Sequence, residues 1–173
     1  GVARGKSGHA ARNEGVNAIY EALDDLVFIR DYRFEKVSPL LGPTKMQCTV
    51  VNSGTQHNVV PDECRFIIDV RTNEHYTNEE VFAFLQGRMK STLQARSFHL
   101  HSSSIPADHP LVRRCVAMGM QPFGSPTLSD QALMRFPSFK LGPGESSRSH
   151  SADEFICVSE IRNAIETYIR LLG

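Results

Sequence analysis

Met46-Gln47-Cys48-Thr49-Val50-Val51 and, past residues 54–62, Cys64-Arg65-Phe66-Ile67-Ile68-Asp69-Val70-Arg71 are the two runs whose reading decides the fold. In the first, Met46, Cys48 and Val50 alternate with Gln47, Thr49 and Val51; in the second, the apolar positions are Cys64, Phe66, Ile68 and Val70. A period of two puts alternate side chains on opposite faces, so the pattern predicts two strands joined by a loop. Upstream, Asn13 is the expected cap of a helix on which Val16, Ile19, Tyr20, Leu23, Leu26 and Val27 keep a helical period. Ser38-Pro39 and Gly42-Pro43 lie in the loop that ends it. Downstream, Thr77-Asn78-Glu79-Glu80 opens a second helix carrying Val81, Phe82, Leu85, Met89 and Leu93, and residues 97–101 read as a further strand. Helix, strand, strand, helix, strand is the order of a split βαβ, ferredoxin-like two-layer sandwich that lacks its first strand.

Beyond Ile105-Pro106 the pattern changes. Pro110 starts a helix to about Met118, Ser129 or Asp130 caps a short one, and residues 137–141 are expected as a strand. Ser159 is the candidate cap of a closing helix with Ile161, Ala164, Ile165, Tyr168, Ile169 and Leu172 on one face and a Glu166–Arg170 pair on the other. The expected division is 1–107 and 108–173. The second part holds one core strand and is too small to bury a core alone, so it needs more sheet from elsewhere.

In 173 residues, nineteen basic side chains balance nineteen acidic ones and no basic run stands out, which argues against nucleic acid or an anionic membrane as partner. Apolar stretches fall far short of a membrane span and the N-terminus lacks the apolar core of a signal peptide, so a soluble, cytoplasmic protein is expected. Cys48, Cys64, Cys115 and Cys157 are scattered, with no C-x-x-C, and read as reduced thiols.

Several motifs dissolve on inspection. Gly5-Lys6-Ser7 resembles the end of a phosphate-binding loop, but that motif needs a glycine five positions earlier, which Gly1 does not supply. Glu79-Glu80 suits a helix N-terminus closed by Thr77 better than acid–base chemistry. His99 and His101 share a face of the expected strand, yet no third ligand lies nearby and a solvated face accounts for them equally well. The stretch Gly142-Pro143-Gly144 through His150 is more suggestive. Glycines let backbone N–H groups approach an anion, and a histidine beyond them can bind a metal or move a proton.

Four blocks follow one another in the chain: Gly5-Lys6-Ser7-Gly8-His9-Ala10-Ala11-Arg12, Gly54-Thr55-Gln56-His57-Asn58-Val59-Val60-Pro61-Asp62, Ile68-Asp69-Val70-Arg71, and Gly142-Pro143-Gly144 with His150-Ser151-Ala152-Asp153-Glu154. In that order and spacing the sequence resembles the dinuclear-zinc M20 family of deacylases and peptidases, most closely its acetylornithine deacetylase branch and succinylornithine-using relatives. The resemblance implies that residues 1–107 are a lid and dimerisation domain and 108–173 the C-terminal portion of an α/β zinc-hydrolase catalytic domain. It implies a homodimer, a small N-acyl amino acid as substrate, a place in arginine biosynthesis, and two zinc ions, for which cobalt or another divalent ion can substitute. By the same resemblance His150 is a metal ligand with Asp153 or Glu154 behind it, and Gly142 and Gly144 hold the substrate carboxylate. His9 reaches the neighbouring subunit's site to stabilise an oxyanion, and Asn58 and Arg71 contact substrate.

Strand alternation sets Arg71 on one face with Arg65 and Asp69, where its guanidinium can grip a carboxylate or pair with Asp69. Ser146, Ser147, Arg148 and Ser149 are expected either to extend the polar pocket or to form a solvated loop. The family's H-x-D pair, bridging aspartate and adjacent catalytic glutamates are not in this sequence. The expectation is therefore a fragment without hydrolase activity of its own and without two bound zinc ions. The alternative is a non-catalytic module that dimerises or binds a small amino-acid ligand.

Overall fold

The computed structural model describes residues 1–125 and 127–173. It forms two compact units, one of Gly1–Ser102 with Gly124–Leu128, the other of Ser103–Phe123 with Ser129–Gly173. In chain order the first unit contains β1 (Val2–Arg4), β2 (Gly8–His9), a 3-10 turn (Ala10–Arg12), α1 (Ala18–Asp31), β3 (Val37–Ser38), β4 (Gly42–Pro43), β5 (Lys45–Ser53), β6 (Val59–Val60), β7 (Glu63–Arg71) and α2 (Asn78–Arg88). The second contains α3 (Pro110–Ala117), 3-10 turns at Asp130–Leu133 and Ser146–Arg148, and α4 (Val158–Leu172).

The expected mixed α/β fold is observed. β5 and β7 pair antiparallel from Lys45 opposite Arg71 to Ser53 opposite Cys64, in a sheet of order β1-β7-β5. The sheet position read as missing from the sequence is filled by β1, three residues too short to show an alternation. On β1's other edge, Val2 and Thr92 exchange N–H···O bonds of 2.9 and 3.0 Å. The fourth strand is thus a single bridge at Thr92, and residues 97–101, expected as that strand, are irregular. Beyond Cys48 the register shifts by a bulge, leaving Val50 and Val51 both exposed.

α1 begins later than expected. Asn17, not Asn13, caps it, its Oδ1 accepting the Ile19 N–H at 2.9 Å, while Asn13 lies in a left-handed turn with φ 52°. The helix packs over all three strands through Ala18, Ala22 and Ile29, small residues letting it approach the sheet. Of the expected stripe, Leu26 packs against this core, while Val16, Ile19, Tyr20, Leu23 and Val27 are exposed. The core is completed by Ala3, Phe34, Cys64, Phe66 and α2's Val81 and Leu85. α2 starts with the expected capping box: Glu80 N–H donates to Thr77 Oγ1 at 3.1 Å, and Thr77 N–H to Glu80 Oε2 at 2.8 Å.

In the second unit α3 begins at Pro110 as expected, with His109 Nδ1 accepting the Leu111 N–H at 3.3 Å. Residues 137–141 form no strand; the Ser138 N–H donates to Ser104 O and Leu141 O accepts the Tyr168 hydroxyl at 2.7 Å. Cys157 rather than Ser159 caps α4, in a box closed by Glu160. α4 turns Leu171 inward and exposes Val158, Ile161, Ile165, Ile169 and Leu172. Among the described residues no helix is long and apolar enough to cross a membrane.

Candidate functional site

The sequence-expected residues fall into two groups, one in each unit. In the first, the β2–β6 ladder sets Gly8 opposite Val60 and His9 opposite Val59, and the Ala10 N–H donates to Asn58 O at 3.1 Å. His9 and Asn58 are thereby neighbours. The fit requires glycine at position 8, where a Cβ would lie 2.4 Å from the Glu14 carbonyl oxygen. His9 is exposed, and its Nδ1 accepts the Ala11 N–H at 3.2 Å. With Nδ1 an acceptor, the ring's proton sits on Nε2, which is left to donate.

Arg71 is not part of this pair. It stands at the far end of β7, eight residues beyond Glu63, or about 27 Å at the strand's usual rise. Its Nε donates to Asp69 Oδ2 at 2.9 Å, the ion pair that strand alternation anticipated. Only that nitrogen is engaged among the described residues, so the terminal nitrogens remain available to an anion. Nearer the start of β7, Glu63 bridges Arg4 and Arg65.

In the second unit Gly142, Gly144 and His150 lie on one exposed loop. Gly144 has φ 84° and needs to be glycine, whereas Gly142 faces open space. His150 is left-handed at φ 62°, and its N–H donates to Glu154 Oε2 at 3.1 Å. Glu154 thus holds the backbone of this turn, and the imidazole has no partner among the described residues. No three His, Cys, Asp or Glu side chains cluster in a metal-holding arrangement among the described residues. His99 and His101 gain no third ligand either. The described residues therefore bring together no set of side chains of the kind that holds zinc.

Arg148 departs from expectation. Its guanidinium is bound by Glu160, and the hydrogen bond from Arg148, with a second from the Cys157 N–H, holds the Glu160 carboxyl below its ordinary value. The same pair raises Arg148 above its ordinary value. Turned onto α4 in this way, Arg148 is not free to extend a substrate pocket. Glu160 was missed from the sequence, although Cys157-x-x-Glu160 has capping-box spacing.

Residues 2–96 match the family described as the M20 peptidase dimerisation domain. Among solved structures, the chain is similar to aminopeptidase PepT from Bacillus cereus ATCC 10987, with 20% identity and a TM-score of 0.66 over 99% of this chain and 49% of that one. It is also similar to a tripeptidase from Staphylococcus aureus subsp. aureus Mu50, with 17% identity and a TM-score of 0.64 over the same shares. At such identities the likeness is one of fold, and the chain spans about half the length of either relative. No curated protein sequence matches it. The matched span contains the whole sheet with both helices that cover it, and by that match the chain belongs to the M20 peptidase dimerisation-domain family.

Proposed function

We propose that the chain is the lid (1–107) and C-terminal catalytic segment (108–173) of an M20 metal-dependent amidohydrolase that works as a homodimer. The observation that carries the dimer is on α1. Ile19, Tyr20, Leu23 and Val27 form an exposed apolar stripe, and β5, paired on one side only, offers a free edge of the same sheet. A second copy related by a twofold axis would cover the stripe with its own and continue the sheet across β5. The separation of Arg71 from His9 and Asn58 supports the same reading, since one copy does not gather them around a single small substrate.

The chemistry follows from what each group offers. His9 Nε2–H is a neutral donor suited to a developing oxyanion. The free nitrogens of Arg71 suit an anionic group of the substrate, and the glycine backbone at Gly142 and Gly144 separately offers N–H groups of the kind that hold a carboxylate. His150 would contribute one ligand to zinc, the remaining ligands coming from the H-x-D and acidic residues that this sequence does not contain. The exposed Val158, Ile161, Ile165 and Ile169 of α4 are the face that the sheet of a complete catalytic domain would cover. An N-acyl amino acid, such as N-acetyl- or N-succinyl-ornithine, is the proposed substrate, on the resemblance of the four sequence blocks. A peptide is the second reading, favoured by the aminopeptidase and tripeptidase among the fold relatives. The free cysteines suit a reducing, cytoplasmic setting.

The test is co-production of this chain with a family segment that carries H-x-D and the paired glutamates. Zinc-dependent release of acetate or succinate from acyl-ornithine is the expected result, at least about a hundredfold weaker in His9→Ala. Cleavage of a tripeptide instead would replace the deacylase reading with the peptidase one. No hydrolysis of either would leave a dimerisation module.

A further inference from the structure

One side chain ties the glycine–histidine loop to α4. Arg148 Nη1 donates to both Glu160 carboxylate oxygens, at 3.0 and 2.8 Å, and its guanidinium lies over the Phe155 ring, 4.8 Å from the centroid. The two charged side chains are 23% and 25% exposed, against 70% and 74% for Lys90 and Asp24 in a surface pair elsewhere. Glu160 Oε2 also accepts the Cys157 N–H at 2.8 Å, so one carboxylate serves both the helix start and the loop. From the loop side, the Ser151 hydroxyl donates to Arg148 O at 2.7 Å. Between these anchors sits His150, in a left-handed conformation that a residue with a side chain keeps only where its surroundings hold it.

We infer that Arg148 and Glu160 are positioning residues, fixing the left-handed backbone turn that carries the His150 imidazole. This rests on the reading of His150 as a residue of the reaction centre. A planar guanidinium that donates to a carboxylate and lies over a ring does what a lysine ammonium does not: it restrains direction as well as distance. Arg148 is thereby committed inward and leaves the substrate carboxylate to other groups.

The whole chain is tested by hydrogen exchange along the backbone and by the ¹H–¹³C imidazole resonance of His150, in Arg148→Lys and Glu160→Gln. Glutamine keeps an oxygen for the Cys157 N–H but loses the charge. Each variant should speed exchange across residues 149–155 by about tenfold and shift the His150 resonance, while α4 beyond Ala164 keeps its protection. The double variant should be no worse than either single one, because both remove the same contact. Unchanged exchange and resonance, additive effects, or equal loosening along all of α4 would overturn the inference. Separately, full turnover by His150→Ala in the reconstituted hydrolase would refute the reading of His150 even if exchange responds as expected.

Discussion

Asn73 and Asp25 carry more of the first unit's organisation than any motif does. The Asn73 side chain, 2% exposed, donates to Lys36 O and Gly42 O at 3.0 Å each and accepts the His75 N–H at 3.1 Å. It ties the β3–β4 hairpin to the approach to α2. Asp25, 3% exposed, receives the Lys90 N–H at 3.0 Å and the Ser91 N–H at 2.8 Å, fastening the end of α2 to α1. Asn73→Ala removes the three hydrogen bonds of this buried side chain and should cost about 1–3 kcal/mol in urea unfolding. Glu80 makes a pH-dependent contribution. The Thr77 backbone N–H, then its side chain, holds the Glu80 carboxyl below its ordinary value. Its folded value is thus lower than its unfolded one, so its contribution is fully present above the unfolded value of about 4.3 and fades as pH falls through the folded value. Wild type should therefore lose stability relative to Glu80→Gln as unfolding is followed from pH 5 downward, to about pH 3. Thr77-x-x-Glu80 was legible because the whole interaction lies within four residues. Asn73 was not, because the two carbonyls it donates to are 31 and 37 residues away, and its local bond to the His75 N–H does not announce them.

At the scale of elements, periodicity located the helices but did not say which of their residues the core takes. α1 carries apolar residues around much of its circumference, and hydrophobicity alone favours the larger Ile19, Tyr20, Leu23 and Val27 over Ala18 and Ala22 for the core. Packing chooses the alanines, since a helix lying close on a sheet needs small contacts, and the larger residues are left for another surface. α4 likewise leaves exposed Ile161, Ile165 and Ile169, which the sequence reading gathered on one face. The β5–β7 hairpin was legible because its nine-residue strands are long enough to show a period of two. Residues 97–101 and 137–141 offered only five positions each, and the strand at Thr92 is a single bridge that no alternation could announce. An apolar stripe with a mate should respond to charge: Leu23→Lys should weaken self-association by about a hundredfold in sedimentation equilibrium, with the monomer's unfolding midpoint little changed.

For the molecule as a whole, the order of elements in residues 2–96 and the family match agree on a dimerisation lid. The four blocks name candidate site residues one by one, but not how the fold arranges them. His9 and Asn58 are joined by the β2–β6 ladder while Arg71 stands at the other end of β7, a geometry that follows from pairing rather than from sequence spacing. Under the proposed function, the exposed apolar residues of α1 and α4 are surfaces for a second copy and for further sheet. The proposed dimer is the part most directly open to measurement, by light scattering on the eluting protein at micromolar concentration. The 19.3 kDa chain should elute at twice its mass; Leu23→Lys should return it to 19.3 kDa, and Ile165→Lys on α4 should leave the doubled mass in place. A monomeric wild type, or a dimer that Ile165→Lys abolishes and Leu23→Lys spares, would contradict a lid that dimerises through α1 and β5.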